Sequence, residues 1–283
     1  MEMKIFDDKK GLERGLLVLT ILIILGAGII FLSIYRSNPY KAVDKEACRA
    51  SIAIRSTPIA GESLKAAAPL NCRTEQIKID KSYRTEEQIK KKVADAMAEC
   101  WSIVGKGEMN FMPQGFWGDK YCLICSTIEF DKNAKQNFPV VSGLLYYMSN
   151  TEMPVQKQKY FNYLWGEDVS YSGNVDFDID TSKDYAVIFS LYKSGWLKKN
   201  LVNIAGATGT VAIIGATFLT GGSVPVISLL IVRTAAQLGL GYYLANTAIA
   251  SFFSTNAGEA GLYLTPYDGK EIQKYCSRFE NAP

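Results

Sequence analysis

The sequence predicts an α+β extracytoplasmic domain with an N-terminal transmembrane helix before it and a C-terminal Gly/Ala-rich transmembrane helical hairpin after it. Three observations predict this. Residues 15–35 form an uncharged apolar run. Residues 201–253 form a second apolar block with one charge, Arg233. Between them, strand-like and helix-like patterns mix without a regular βαβ alternation, which is the pattern of an α+β fold.

The first run, GLLVLTILIILGAGIIFLSIY, would rise about 30 Å as a helix, the thickness of a bilayer's hydrocarbon core. It has no polar stripe, which argues against a buried core helix. It exceeds the ~7–15 residue core of a signal peptide, and no A-x-A-like cleavage site follows it. The expectation is an uncleaved signal anchor, with Tyr35 and Tyr40 in an interfacial aromatic belt. Lys4, Lys9, Lys10 and Arg14 on one flank balance Arg36, Lys41, Lys45 and Arg49 on the other. The positive-inside rule therefore sets no orientation.

The expected organisation is a cytoplasmic tail over 1–14, the anchor over 15–35, the domain over 36–200, the hairpin over 201–253 and an extracytoplasmic tail over 254–283. Within the domain, Cys48, Ala50, Ile52 and Ile54 alternate with Arg49, Ser51, Ala53 and Arg55, a strand pattern. Gln76–Asp80 reads as a second strand. Thr85 and Gln88 have capping-box spacing and open a helix. Its apolar stripe is Ile89, Val93, Met97, Cys100, Trp101 and Val104, with Lys90, Lys91 and Asp95 facing away and Gly105 as the stop. The β-branched and aromatic run Tyr121–Phe130 reads as a strand. Residues 138–147 suggest the start of a helix, and 155–165 a short helix or packed aromatic segment. Tyr185–Tyr192, YAVIFSLY, reads as a central buried strand.

In the second block, Ala205 with Gly209 and Ala235 with Gly239 are small-xxx-small pairs, which let helix backbones approach closely in lipid. Two spans turning near Gly221, Gly222 and Pro225 are the economical reading. Arg233 is placed near the turn, at the membrane face, where snorkelling is cheap.

Composition narrows the chemistry. The chain has no histidine and a net charge of +3. Without imidazole there is no Ser-His-Asp or Cys-His nucleophile, and most catalytic zinc sites are lost. The charge is too nearly balanced for a nucleic-acid partner. No Asn-x-Ser/Thr sequon occurs. The six cysteines, Cys48, Cys72, Cys100, Cys122, Cys125 and Cys276, all lie outside the two apolar blocks. With the hairpin returning the tail to the domain's side, they share one compartment. That suggests a disulfide framework outside the cytoplasm, with fifteen connectivities open and a mild preference for Cys276 tying the tail to the domain.

Cys122-Leu-Ile-Cys125 invites a redox reading. A thioredoxin-like pair needs a helix N-terminus, whereas this pair sits in strand-like sequence. Residues three apart on a strand point to opposite faces about 10 Å apart and cannot bond to each other. A Cys-only metal site would need Cys48, Cys72 or Cys100 to complete it and a tight turn at the pair. Structural disulfides or buried thiols are the favoured reading. Asp176, Asp178 and Asp180 resemble the opening of a calcium loop. However, Phe177 and Ile179 are apolar, Thr181 replaces the turn glycine, and Val187 stands where the bidentate Glu belongs. A solvated strand face fits better, so no metal and no cofactor is expected. In the aromatic loop 105–119, Phe111, Phe116 and Trp117 are the binding-surface candidates, set against a plain packing role.

The functional expectation is a membrane-anchored, disulfide-stabilised extracytoplasmic binding or assembly component of a cell envelope, more a binding module than an enzyme. Its partners would be the lipid bilayer and either further copies of the chain or other envelope proteins. The alternatives are a pore-forming or membrane-remodelling protein that uses the hairpin, and a thiol-disulfide or Cys-metal protein.

Overall fold

The computed structural model describes residues 18–25, 39–57, 70–107, 109–112, 120–166, 171, 176–192, 211–216, 227–233, 249–255 and 258–280. The chain divides into two units, residues 1–45 and 46–283.

In the first unit, residues 18–25 are helical. Their apolar side chains are exposed on every side, from Ile21 at 48% to Ile24 at 69%. Among the described residues no helix is long and apolar enough to cross a membrane. The remainder of the expected anchor, 15–17 and 26–35, lies outside the described residues.

Helix α1, Pro39–Ser56, replaces the strand that alternation predicted around Cys48–Arg55. The residues it buries explain why. Cys48, Ser51, Ile52 and Arg55 are buried, at three- and four-residue steps, while Ile54 is 60% exposed. A short run that satisfies both periods is decided by which face meets the core. Strand β1, Glu75–Ile79, follows as expected.

Helix α2, Glu86–Ile103, forms where the cap and stripe place it. The Thr85 hydroxyl accepts from Gln88 N at 3.3 Å. The return bond differs slightly from the predicted box: Gln88 Oε1 accepts from Arg84 N at 2.6 Å. Ile89, Val93, Met97, Cys100, Trp101 and Val104 are all buried. Each fully buried apolar side chain of this kind contributes roughly 1.5–3 kcal/mol. Lys90 departs from its expected outward position. It is buried, and its amine donates to Ser142 O at 3.2 Å and pairs with Glu87 at 3.2 Å.

An eight-stranded sheet carries the rest, in the order β1, β2 (Lys120–Phe130), β5 (Tyr185–Tyr192), β9 (Gly258–Pro266), β8 (Ile249–Thr255), β7 (Ile227–Arg233) and β6 (Val211–Ala216), with β10 (Arg278–Glu280) also on β2. β2, β5 and β9 pair antiparallel, and β1 and β10 run parallel to β2. All eight residues of β5 are buried, as a central strand requires. Tyr185, Val187, Phe189 and Leu191 join the main core beneath α2, which packs on β2, β5 and β9. Ala186, Ile188, Ser190 and Tyr192 face the other side and are buried too.

Between β2 and β5 the chain forms three short helices and a small two-stranded sheet. Helix α3 is Lys132–Asn137, α4 is Leu144–Asn150 and α5 is Tyr160–Trp165. β3, Val140–Val141, pairs antiparallel with β4, Ile179–Asp180. The tail then supplies β9 and helix α6, Gly269–Tyr275. The expected appendage over 254–283 is therefore partly sheet interior: Leu262 and Leu264 are core residues.

The expected helical hairpin over 201–253 is corrected where residues are described. Strands β6 (Val211–Ala216), β7 (Ile227–Arg233) and β8 (Ile249–Thr255) form instead, antiparallel in turn, with β8 on β9. The physical reason is composition. Val211, Ile213, Ile214, Ile227, Ile231 and Val232 are β-branched and stiff at χ1, and glycine costs a helix about 1 kcal/mol per residue. Hydropathy alone does not separate a helix from a strand, and the edge of β9 offers a ready ladder. The turn at Gly221, Gly222 and Pro225 lies outside the described residues, as do Ala205, Gly209, Ala235 and Gly239.

Candidate functional site

The cysteines are the residues the fold brings together. All six are paired, leaving no free thiol. Cys48 on α1 joins Cys72, just before β1, with Cα atoms 4.4 Å apart. Ser51 reinforces this junction: its hydroxyl donates to Cys48 O at 2.8 Å and accepts from Asn71 N at 3.1 Å. Cys100 on α2 joins Cys125 on β2, with Cα atoms 5.5 Å apart. Cys122 on β2 joins Cys276, immediately after α6, at 5.6 Å. The preference for Cys276 as the link between tail and domain is met.

The Cys-x-x-Cys pair divides as strand geometry requires. Cys122 sits opposite Ser190, on the second face of the sheet, and the Ser190 hydroxyl lies 2.9 Å from its sulfur. Cys125 faces α2. The register with β5 slips between Ile124 and Ser126, so Cys125 is the extra residue of a β-bulge. The bulge returns Ser126 to the α2 side, and Ile128 and Phe130 follow it into the core. With each sulfur in a bond to another element, the pair has neither the geometry of a dithiol redox motif nor a thiolate for metal binding. Among the described residues no group of three His, Cys, Asp or Glu could hold a metal ion.

The three aspartates serve the fold locally. Asp176 accepts from Leu145 N at 2.8 Å and Tyr146 N at 3.3 Å, the free amides at the start of α4. It also accepts from the Tyr171 hydroxyl at 3.1 Å. Burial, then the Asp176 charge, push the Tyr171 phenol up to about 12. Asp178 accepts from Gly143 N at 3.3 Å, and Asp180 accepts from Ser182 N and Oγ in a tight turn. A calcium loop would need these oxygens turned toward a common centre.

The other candidates separate. Phe111 is fully buried, which removes it from any binding surface. It packs edge-on against Tyr121 at 6.2 Å and tilted on Phe189 at 5.9 Å. Phe116 and Trp117 lie outside the described residues. Arg233 ends β7, in register with Val211 of β6, rather than sitting at a helical turn.

Two arrangements had no sequence signal. The Tyr160 hydroxyl donates to Asp95 Oδ1, while Lys91 pairs with Asp95 at 2.7 Å. Burial, then the bond to Asp95, raise the Tyr160 phenol above its ordinary value. After α2, Gly105, Lys106 and Gly107 all take positive φ, at 63°, 56° and 75°. The Lys106 amine then lies 5.1 Å above the Tyr163 ring. Both arrangements join core helices to their neighbours.

No protein-family model matches the chain, and no curated protein or solved structure matches it.

Proposed function

We propose that this chain is a membrane-anchored extracytoplasmic domain that acts as a binding or assembly component of a cell envelope, held rigid by its disulfides. The observation that carries the reading is the pairing of all six cysteines, none left free. Such bonds persist in oxidising spaces and are rare where glutathione keeps thiols reduced. The exposed apolar helix at 18–25, inside an uncharged run over 15–35, supports the anchor. The lack of histidine, and the structural employment of the cysteines and aspartates, favour binding over catalysis. The anchor is tested by alkaline carbonate extraction of membranes. The full chain is expected in the pellet and a chain starting at Arg36 in the supernatant. A soluble full chain would contradict the reading.

The pore reading keeps one supporting observation: three successive antiparallel strands drawn from a segment with a single charge. Their length weighs against it. A membrane-crossing strand needs about 9–11 residues, and β6, β7 and β8 have 6, 7 and 7. Arg233→Leu separates the readings. Conductance across planar bilayers that disappears at normal expression favours the pore, and no conductance from either chain favours the binding domain.

A further inference from the structure

We propose that Cys100–Cys125 is the redox-sensitive bond of this domain, the one an external dithiol opens ahead of the other two. Two independent observations carry this. The first is a seam in the sheet. β1 and β10 share one edge of β2, β10 pairing with Tyr121–Leu123 and β1 with Ser126–Phe130. Neither pairs with Ile124 or Cys125. The Thr74 hydroxyl reaches in, donating to Ile124 O at 3.0 Å. On the other edge of β2, the bulge against β5 falls at the same residue, Cys125, where ladder pairing is locally disrupted.

The second is exposure. Cys48 and Cys72 are 5% and 4% exposed, and Cys122 and Cys276 are 0% and 4%. In the third bond Cys100 is 1% exposed, but Cys125 is only half-buried. Disulfide exchange requires in-line approach of a thiolate to one sulfur, so access at either end is enough. Cys125 is the reachable end.

The chemistry follows. A thiolate of the dithiol attacks Cys125 Sγ, the Cys125–Cys100 bond breaks, and Cys100 leaves as a thiolate that takes up a proton. The second thiol of the reductant, deprotonated, then attacks its own sulfur in the mixed disulfide and expels Cys125, which is protonated in turn. Two electrons pass to the protein, and the reductant ends as its cyclic disulfide. Release frees the last turn of α2 from β2. That turn carries Trp101 and leads through Gly105–Gly107 to Phe111, so the aromatic join between α2 and the sheet loosens while both other bonds hold. The order of opening is a property of the purified chain and is independent of the compartment proposed above.

The test is graded dithiothreitol on the purified full chain, acid-quenched, alkylated and read by peptide mass. Cys100 and Cys125 are expected to label at roughly tenfold lower reductant than the other four cysteines. Earlier labelling of Cys48/Cys72 or Cys122/Cys276, or one step for all six, would overturn the proposal. Tryptophan fluorescence gives a second readout. The wild type is expected to show an early step that the Cys100→Ala/Cys125→Ala variant lacks. An early step retained in that variant would equally overturn the proposal, and if the variant does not fold, the wild-type labelling decides.

Discussion

Cys122 and Cys125 stand three residues apart on β2, yet they bond to Cys276 and Cys100 on opposite faces of the sheet. One strand therefore anchors both the tail and the principal helix. The two loops differ greatly, with separations of 154 and 25 residues. Chain entropy then assigns about 5 kcal/mol to the first bond and about 3.5 kcal/mol to the second. The Cys122→Ala/Cys276→Ala variant should lose more stability than Cys100→Ala/Cys125→Ala, as read from urea midpoints. Equal losses, or the reverse order, would contradict the entropic account.

Asp176 ties β4's approach to the start of α4. Asp176→Ala leaves the Leu145 and Tyr146 amides without their carboxylate and should cost about 1–3 kcal/mol. It also removes a charge that holds up the Tyr171 phenol. Ultraviolet titration should show one phenol moving down toward about 10, the ordinary tyrosine value. An unchanged titration curve would show that the Tyr171–Asp176 bond does not form in solution.

Tyr160 makes the fold sensitive to alkali. Its folded pKa is raised, first by burial and then by the bond to Asp95. The native state thus holds this proton more tightly than the unfolded chain does. The resulting stability is complete below about pH 10 and is lost as pH climbs through the raised value. Tyr160→Phe should be less stable at neutral pH but lose less on going to strong alkali. Urea midpoints at neutral pH and above pH 10 measure this, and parallel losses in the two proteins would refute it.

Gly107 combines a φ of +75° with a close approach, since an added Cβ would lie 2.8 Å from the Trp101 indole. Gly107→Ala meets both the left-handed penalty and a rigid ring, so about 1–3 kcal/mol should be lost. Gly166 has φ +96° but open space around its Cβ position. Its ψ of 157° puts it in a backbone region that is essentially glycine's alone, so Gly166→Ala should cost about 1–3 kcal/mol through conformation, with no clash added. Thermal unfolding of the two variants measures both losses.

What could be read from the sequence follows the strength of each local signal. Helix α2 carried both a cap and a long stripe, and it forms where they indicate. β5 was an uncharged run rich in β-branched and aromatic residues, and all eight of its residues are buried within the sheet. The division of Cys122 from Cys125 followed from the twofold period of a strand. The failures have one cause: context chose between local options of similar standing. Cys48–Arg55 satisfied a period of two and also a period near 3.6, and the contact of Cys48, Ser51, Ile52 and Arg55 with the core made it helix. Val211–Ala216, Ile227–Arg233 and Ile249–Thr255 carried hydropathy without a decisive period, so pairing in turn from the ladder of β9 decided their state. Lys90 reads as polar in any window, and beside its local partner Glu87 only the fold supplies Ser142 O to receive its amine. Phe111 looked like a loop aromatic because Tyr121 and Phe189, which cover it, are remote in sequence.

The most direct test of the central claim is maleimide labelling of cells that express the full chain, intact and permeabilised, each with and without reductant. The account predicts no labelling without reductant, and labelling of all six cysteines in intact cells once a strong, impermeant reductant is added. Labelling without reductant would place the cysteines in a reducing compartment, and labelling that appears only after permeabilisation would place the domain on the inner side of the membrane; either result would contradict the account.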